Sequence, residues 1–386
     1  MTPTITDDWL INPATQAVCA ALGAGGAQAL FVGGCVRNAL LGVAVSDIDI
    51  ATDALPERVI ELARAANIRA VPTGIEHGTV TLVNEGIAHE VTTFRQDVET
   101  DGRRAVIAFA DGIEQDAARR DFTMNALYAR PDGTVLDPLG GLADLRCRRV
   151  RFIRDATDRI REDYLRSLRY FRFHAWYGDP RGGFDPDAMN AIAANLGGIA
   201  TLSRERIGAE MLKLLAAPDP APSVAAMRST GALGQVLPGA DDRFLAPLVH
   251  LEGDAGAAPD PLRRLACLGG IGMDDALRLS RTQKRGLEQM REAAGSAAGP
   301  GEIGFRMGAD TARDVLLLRA AMLGSPWDAA AMAAAERGAE AVFPVAPADL
   351  MPRLRGPALG AALARLEGDW IASGFTLTGA ELLGRV

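Results

Sequence analysis

The chain has 386 residues, enough for two or three compact units with a sizeable core, and 48% of them are hydrophobic, which excludes a disordered protein. No apolar run is long enough to cross a bilayer, and residues 1–9 lack the basic-then-apolar layout of a secretory signal, so a cytoplasmic protein is expected. The net charge of −8 would count against a nucleic-acid partner only if charge were evenly spread, and it is not.

In chain order, Pro13–Leu22 has helical spacing. Phe31 and Val32 are strand-like, Gly33-Gly34 is a turn, and Val36–Leu41 is again helical. A strand that breaks at glycines and opens a helix brings free N–H groups close to an anion. Arg37, in the first turn, can add a charge-assisted contact to a phosphate oxygen. Ser46–Thr52 alternates polar and apolar residues, so on a strand Asp47 and Asp49 share one face while Ile48 and Ile50 share the other. Adjacent carboxylates repel unless positive charge lies between them. A divalent metal beside a phosphate-binding turn supplies that charge and points to phosphoryl or nucleotidyl transfer. An isolated Asp-x-Asp would read as a solvated surface strand. Glycine pair, arginine and carboxylates in one short unit favour chemistry instead.

Pro56–Ala66 is expected as a helix, with Pro56 suited to its first turn. Strands at 78–83 and 87–94, joined at Asn84-Glu85-Gly86, precede a polar stretch, Gln96–Arg104, expected to be a mobile loop. Asp116–Asn125 is expected as a helix with its C-terminal turn. It carries Arg119, Arg120, Asp121 and Asn125, which offer donors for phosphate or ribose oxygens and one acid to orient them. The plainer alternative is a helix-end ion-pair set over a Phe122 and Met124 core. A hairpin follows, with arms at 126–129 and 134–137 around Pro131-Asp132-Gly133.

From about residue 146 the pattern is helical almost throughout. Residues 146–172 hold ten arginines against four acids, a local basic stripe of the kind that binds a phosphate backbone, or else a solvated helix face. Tyr164–Tyr177 carries Leu165, Leu168, Phe171, Phe173 and Trp176 at helical spacing. Asp163 and Arg166, three apart, are expected side by side on a helix. Ser203 suits an N-cap, with Arg206 and Glu210 four apart behind it. Pro/Gly-rich joints near 178–186, 218–222, 238–261 and 295–304 break the remaining Ala- and Leu-rich helices. The architecture is an α/β head with a small mixed sheet and helices (1–145), a helical neck (146–215) and a helical body and tail (216–386), the whole helical part elongated. Cys19, Cys35, Cys147 and Cys267 show no metal-ligand spacing and are expected to be reduced core residues. Four histidines in no ligand pattern make a zinc site unexpected.

The string from Gly33 to Asn38, followed by Asp47-Ile48-Asp49, resembles the signature Gly-Gly-x-Val-Arg-Asp…Asp-x-Asp of the class II tRNA nucleotidyltransferase/poly(A) polymerase family. Asn38 departs from it: the asparagine keeps hydrogen-bonding capacity, loses a charge and is given no catalytic role. Residues 119–126, Arg-Arg-Asp-Phe-Thr-Met-Asn-Ala, resemble the family's second motif, and residues 162–166 its Glu-Asp-x-x-Arg. Residues 202–215 resemble its Ser-x-Glu-Arg-Ile-x-x-Glu helix, a brace for the preceding motif. The likeness is strong over about 28–215 and afterwards rests on helical character, with one echo at Leu277–Ser280.

The resemblance implies a nucleotidyltransferase fold and template-independent addition of C, C and A to the tRNA 3′ end, using CTP and ATP and releasing pyrophosphate. It implies Asp47 and Asp49 as catalytic residues that hold one or two Mg²⁺, with Glu90 a candidate third carboxylate whose facing the sequence leaves open. Gly33, Gly34, Arg37, Arg119, Arg120, Asp121 and Asn125 would bind the nucleotide's sugar and phosphates. Asp163 and Arg166 would present acceptor and donor groups to the edges of cytosine and adenine. Uracil and guanine would leave the acid unpaired. The helical part would read tRNA by shape and backbone. No membrane and no obligate protein partner are implied. Residues 71–80 look like the CCA-adding form, and 94–104 resemble the flexible element such enzymes use in switching from C to A. Alternatives are a poly(A) polymerase, a CC-only or A-only enzyme of the same family, or a catalytically silent RNA-binding protein on this fold.

Overall fold

Among the described residues, nine strands carry the first part of the chain: β1 (Leu30–Val32), β2 (Ile48–Thr52), β3 (Arg69–Gly74), β4 (Thr79–Asn84), β5 (Ile87–Thr93), β6 (Arg95–Thr100), β7 (Ala105–Phe109), β8 (Tyr128–Ala129) and β9 (Val135–Leu136). This computed structural model describes residues 3–100, 105–110, 112–351 and 353–386. Seven strands form a mixed sheet in the order β3-β4-β5-β2-β1-β8-β9, and among the described residues β6 and β7 pair only with each other. The sheet is mixed because β2 runs antiparallel to β1 but parallel to β5. Between β2 and β5 the chain passes through the Pro56–Ala65 helix and strands β3 and β4, a long connection of the kind that a parallel neighbour requires.

The helices Pro13–Ala24 and Pro56–Ala65 cover one face of this sheet. His89 shows which face, because its Nε2 lies 3.0 Å from the Thr15 hydroxyl of the first of these helices. Side chains alternate along a strand, so Glu90 faces the other way. Register pairs Glu90 with Asp49 and His89 with Ile48, so Asp49 and Glu90 share the face not covered by these helices. Around β1 and β2, Leu30, Val32, Ala51, Phe94, Ala126, Tyr128 and Ile153 form a buried cluster that fixes the strands carrying the site.

By packing, the chain divides into two units, Met1–Glu210 with Ala226–Val236, and Met211–Ala225 with Leu237–Val386. The second is helical. In it the Pro300–Met307 and Ala329–Glu340 helices pack through small residues, since a side chain on Gly304 or Gly338 would collide with the backbone of Ala335 or Gly301. Its buried Glu252 accepts from Arg264 at 2.7 Å and Arg263 at 2.8 Å, and Arg264 also donates to the Leu215 carbonyl at 2.6 Å. Among the described residues, no helix is long and apolar enough to cross a membrane.

Several expectations are corrected. Strand β3 was not anticipated, because Val71 and Pro72 alternate poorly with exposed neighbours. The loop expected over Gln96–Arg104 is strand as far as Thr100, paired with the apolar run 105–109; residues 101–104 lie outside the described ones. The helix expected over Asp116–Asn125 stops at Ala118 and resumes as a 3-10 turn at Thr123–Asn125. Phe122 is extended there, bridged to Phe152, because residues 121–123 run beside 151–153. Cys147 is exposed, since it ends the Gly141–Arg146 helix, and Trp176 is 40% exposed despite its helical spacing.

Candidate active site

Gly33 stands between β1 and the Gly34–Leu41 helix at φ 71°, a left-handed conformation that glycine adopts without cost. A Cβ there would also lie 3.2 Å from Nη1 of Arg120, so the glycine lets that guanidinium approach the turn. One helical turn on, Arg37 is buried. Its Nη1 donates to Asn125 Oδ1 at 2.5 Å, and its Nη2 donates to Asn38 Oδ1 and to the Tyr177 hydroxyl, both at 2.8 Å. Its guanidinium carbon also lies 3.9 Å from the Tyr177 ring centre. Burial pulls its pKa below the usual arginine value.

Strand β2 begins at Ile48, so Asp47 lies one residue ahead of it, exposed and accepting from the Ser46 hydroxyl at 2.9 Å. Asp49 is half-buried. Burial, then the Glu90 carboxylate beside it and Asp47, push its pKa up to about 6, against the opposing charges of Arg120 and Arg37. The facing of Glu90, open in the sequence, is set by register with Asp49. Among the described residues no three His, Cys, Asp or Glu side chains converge as a ready metal cage. The acids nevertheless fit a divalent ion: they carry excess negative charge on one face, and hard carboxylate oxygens suit Mg²⁺.

Asp116, which sequence reasoning used only as a helix start, organises the arginine pair. It is buried and accepts from Arg119 at 2.8 Å, Arg120 at 3.0 Å and the Tyr128 hydroxyl at 2.6 Å. Burial opposes its ionisation, but the two arginines and that hydroxyl overcome it and hold it at about 2. Asp121 is held likewise at about 2, where burial is outweighed by Arg169, donating at 2.8 Å, and by Asn125 Nδ2, also at 2.8 Å. Asn125 therefore links Arg37 to Asp121, and Arg169 links Asp121 to the Leu165–Tyr177 helix.

Asp163 and Arg166 do not share a helix. Asp163 adopts an extended backbone at the end of the Ala156–Glu162 helix, and the next helix starts at Leu165. Asp163 pairs instead with Arg206, and Arg166 with Glu162 at 2.6 Å. Arg206 and Glu210, expected to face each other, both reach the preceding helices: Glu210 accepts from Arg172 at 2.6 Å. Ser203 does cap its helix, accepting from the Arg206 N–H at 3.3 Å. The basic stripe is largely an internal lattice. Of its ten arginines, 149, 151, 159, 166, 169 and 172 are each paired with an acid.

These groups close around a cavity of about 390 Å³. Its wall brings together Gly33, Gly34, Arg37, Asp49, Arg119, Arg120, Asp121, Asn125, Asp163 and Arg166 from three separate sequence segments. Asp47 and Glu90 lie outside that lining. Leu165, Arg169, Phe173 and Arg206 complete it and were not anticipated as site residues. The available signal was helical phase: Arg169 and Phe173 follow Arg166 at spacings of three and seven.

Residues 29–151 match the family described as "Poly A polymerase head domain", and residues 183–244 the "Probable RNA and SrmB- binding site of polymerase A". The chain is 45% identical over 186 residues to CCA tRNA nucleotidyltransferase 1, mitochondrial, of Homo sapiens, covering 48% of this chain and 43% of that protein. It is 42% identical over 216 residues to the CCA-adding enzyme of Geobacillus thermodenitrificans, covering 55% of this chain and 52% of the other. The chain thus spans about half the length of the curated relatives it matches. The crystal structure of Bacillus stearothermophilus CCA-adding enzyme in complex with CTP superposes with a TM-score of 0.74 at 30% identity, covering 94% of each chain. With the motif residues gathered in one cavity and this likeness running the length of the fold, the chain belongs to the class II tRNA nucleotidyltransferase/poly(A) polymerase family.

Proposed function

We propose that this protein adds C, C and A to the 3′ end of tRNA without a nucleic-acid template, using CTP and ATP and releasing pyrophosphate. One observation carries the reading: a single cavity joins the glycine turn and Asp49 to the separated Asp163 and Arg166. That arrangement can hold phosphates at one end and read a base at the other. The likeness to a CCA-adding enzyme in complex with CTP supports the choice of substrate class.

The Gly33-Gly34 turn would bring the backbone at Gly34 close to the phosphates, the Gly33 N–H being donated to the Leu127 carbonyl at 3.2 Å, with Arg37, Arg119 and Arg120 supplying charge. Asp121 and Asn125 would orient that set, and Asn125 would also be placed for the ribose. Asp163 and Arg166 would accept from and donate to the edge of C or A, a match that U and G lack. Asp47 and Asp49 would hold Mg²⁺, with Glu90 beside them. The ion, when bound, would supply Lewis-acid charge for nucleotidyl transfer. Residues 1–145 would serve catalysis, 146–215 base selection, and 216–386 contact with tRNA. Four free cysteines support placement in the reducing cytoplasm.

The test is incorporation of labelled CTP and ATP, with Mg²⁺, into tRNAs ending before, within and after CCA. Addition of CCA followed by a stop is expected. A long A tail would make the protein a poly(A) polymerase, and arrest at CC a partial enzyme. Binding of tRNA without incorporation would leave a silent RNA-binding protein.

A further inference from the structure

Arg159, in the Ala156–Glu162 helix, is 3% exposed and lies outside the lining of the cavity. Its Nη2 donates to the main-chain carbonyls of both Arg119 and Arg120, the latter at 2.7 Å, and its Nη1 donates to Oε2 of Glu162. The helix before those carbonyls stops at Ala118. The Thr123 N–H, which a continued helix would give to the Arg119 carbonyl, goes instead to the Arg151 carbonyl at 3.0 Å. Arg159 supplies the donor that the broken helix withholds.

Arg166 closes a ring with it. Its Nη1 donates to the same Oε2 of Glu162 at 2.6 Å and to the Arg159 carbonyl at 3.0 Å, and its Nη2 reaches the Arg119 carbonyl at 3.4 Å. The two arginines therefore share one carboxylate oxygen and one main-chain carbonyl. From that same main chain the Arg119 and Arg120 side chains extend to Asp116, at 2.8 Å and 3.0 Å, and line the cavity. A planar guanidinium can hold carbonyls with one nitrogen and a carboxylate with the other in a fixed geometry, whereas an ammonium is a point charge on a flexible stem.

We propose that Arg159 is a positioning residue that fixes the span between the two ends of the nucleotide site. By tying the Arg119-Arg120 main chain to Glu162 and Arg166, it makes the phosphate end and the base-reading side chain move as one piece. A nucleotide anchored by its phosphates then presents its base edge to Arg166 at a set distance, and only a base that matches there gains the contact. The proposal rests on the nucleotidyltransferase reading and adds what links phosphate binding to base choice. Arg159 itself touches no substrate.

The test is steady-state incorporation of CTP and of UTP into a tRNA lacking CCA by the full chain, for wild type, Arg159→Met and Arg159→Lys. Calorimetric affinity for inorganic pyrophosphate and thermal midpoints accompany it. Arg159→Met should lower kcat/KM for CTP about tenfold, the order expected from a slight misplacement of a reading group. UTP, which does not gain the Arg166 contact, should change little, and pyrophosphate affinity should hold. A merely structural defect would lower all three together. Arg159→Lys should recover only part of the loss, because it cannot span both carbonyls and the carboxylate. Should Arg159→Met fail to fold, the CTP-to-UTP ratio of Arg159→Lys decides alone. If the ratio stays at the wild-type value, or if CTP, UTP and pyrophosphate fall alike, the proposal is wrong while the function stands. If wild type incorporates neither nucleotide, or both equally, the function falls and this proposal with it.

Discussion

Arg206 donates to Asp163 at 2.7 Å from a helix 43 residues further along the chain. The other oxygen of Asp163 accepts from the Leu165 N–H at 3.1 Å, so both ends of the carboxylate are tied. Arg166, meanwhile, is fixed by Glu162 and the Arg159 carbonyl. The two groups proposed to read the base are therefore held separately, and each can lose its support without the other.

That separation gives distinct outcomes for two variants. Arg166→Ala should relax discrimination against UTP and GTP by about tenfold, the order expected when one donor to a base edge is lost. Triphosphate affinity should change less. Arg206→Ala should produce a smaller loss of the same discrimination, through a freed Asp163. Misincorporation measured with each of the four nucleotides separates these cases, and unchanged discrimination in Arg166→Ala would refute its assignment.

Asp49→Ala should reduce incorporation about a thousandfold, since charge supplied by a metal is worth several kcal/mol and each ~1.4 kcal/mol is tenfold. Binding of tRNA should stay measurable by filter retention. Retained incorporation would remove the metal site from the mechanism.

Glu90 pairs in register with Asp49, and Glu90→Gln tests whether it shares the ion. The Mg²⁺ concentration for half-maximal incorporation should rise severalfold. An unaltered requirement would leave Glu90 as a neighbour that only raises the Asp49 pKa.

Asp116 should make the fold sensitive to acid. Its pKa is held at about 2, below the 3.8 of an ordinary aspartate. A depressed carboxylate contributes stability above its unfolded pKa and loses it as pH falls through the folded one. Its contribution, about 2 kcal/mol on the scale of 1.4 kcal/mol per pH unit, should fade between about pH 4 and pH 2. Thermal midpoints of wild type and Asp116→Asn should converge over that window. A constant gap would show that the carboxylate charge is not what anchors Arg119 and Arg120.

In the second unit, Glu252→Ala should cost about 3 kcal/mol or more, because it strips two buried arginines of their shared acid. Urea unfolding of the full chain, followed by far-UV dichroism, provides the check. An undiminished midpoint would mean that the backbone carbonyls around Arg264 suffice.

Much of the site was legible because its parts are local. Gly33-Gly34 with Arg37, and Asp47 with Asp49, each span a few residues, although the strand expected to put both aspartates on one face begins only at Ile48 and leaves Asp47 ahead of it. What was not legible depends on contacts between distant segments. Glu90 acquires its facing from His89 touching Thr15, 74 residues away. The helix expected through Phe122 yields to a bridge with Phe152, and Asp163 leaves the helix because its carboxylate caps Leu165. The arginine-rich tract reads as open surface until its acids, Asp121, Asp144, Asp185 and Glu210, arrive from elsewhere.

Strand β2 is bonded on both sides, to β1 and β5, whereas among the described residues β6 and β7 share a sheet only with each other. In deuterated water the amides behind Asp49 should be among the last to exchange and those of the β6–β7 ribbon among the first, since a lone two-stranded ribbon is marginal in water. The chain would thus keep its acids on a stiff rail while the neighbouring ribbon opens and closes many times, without carrying the acids along.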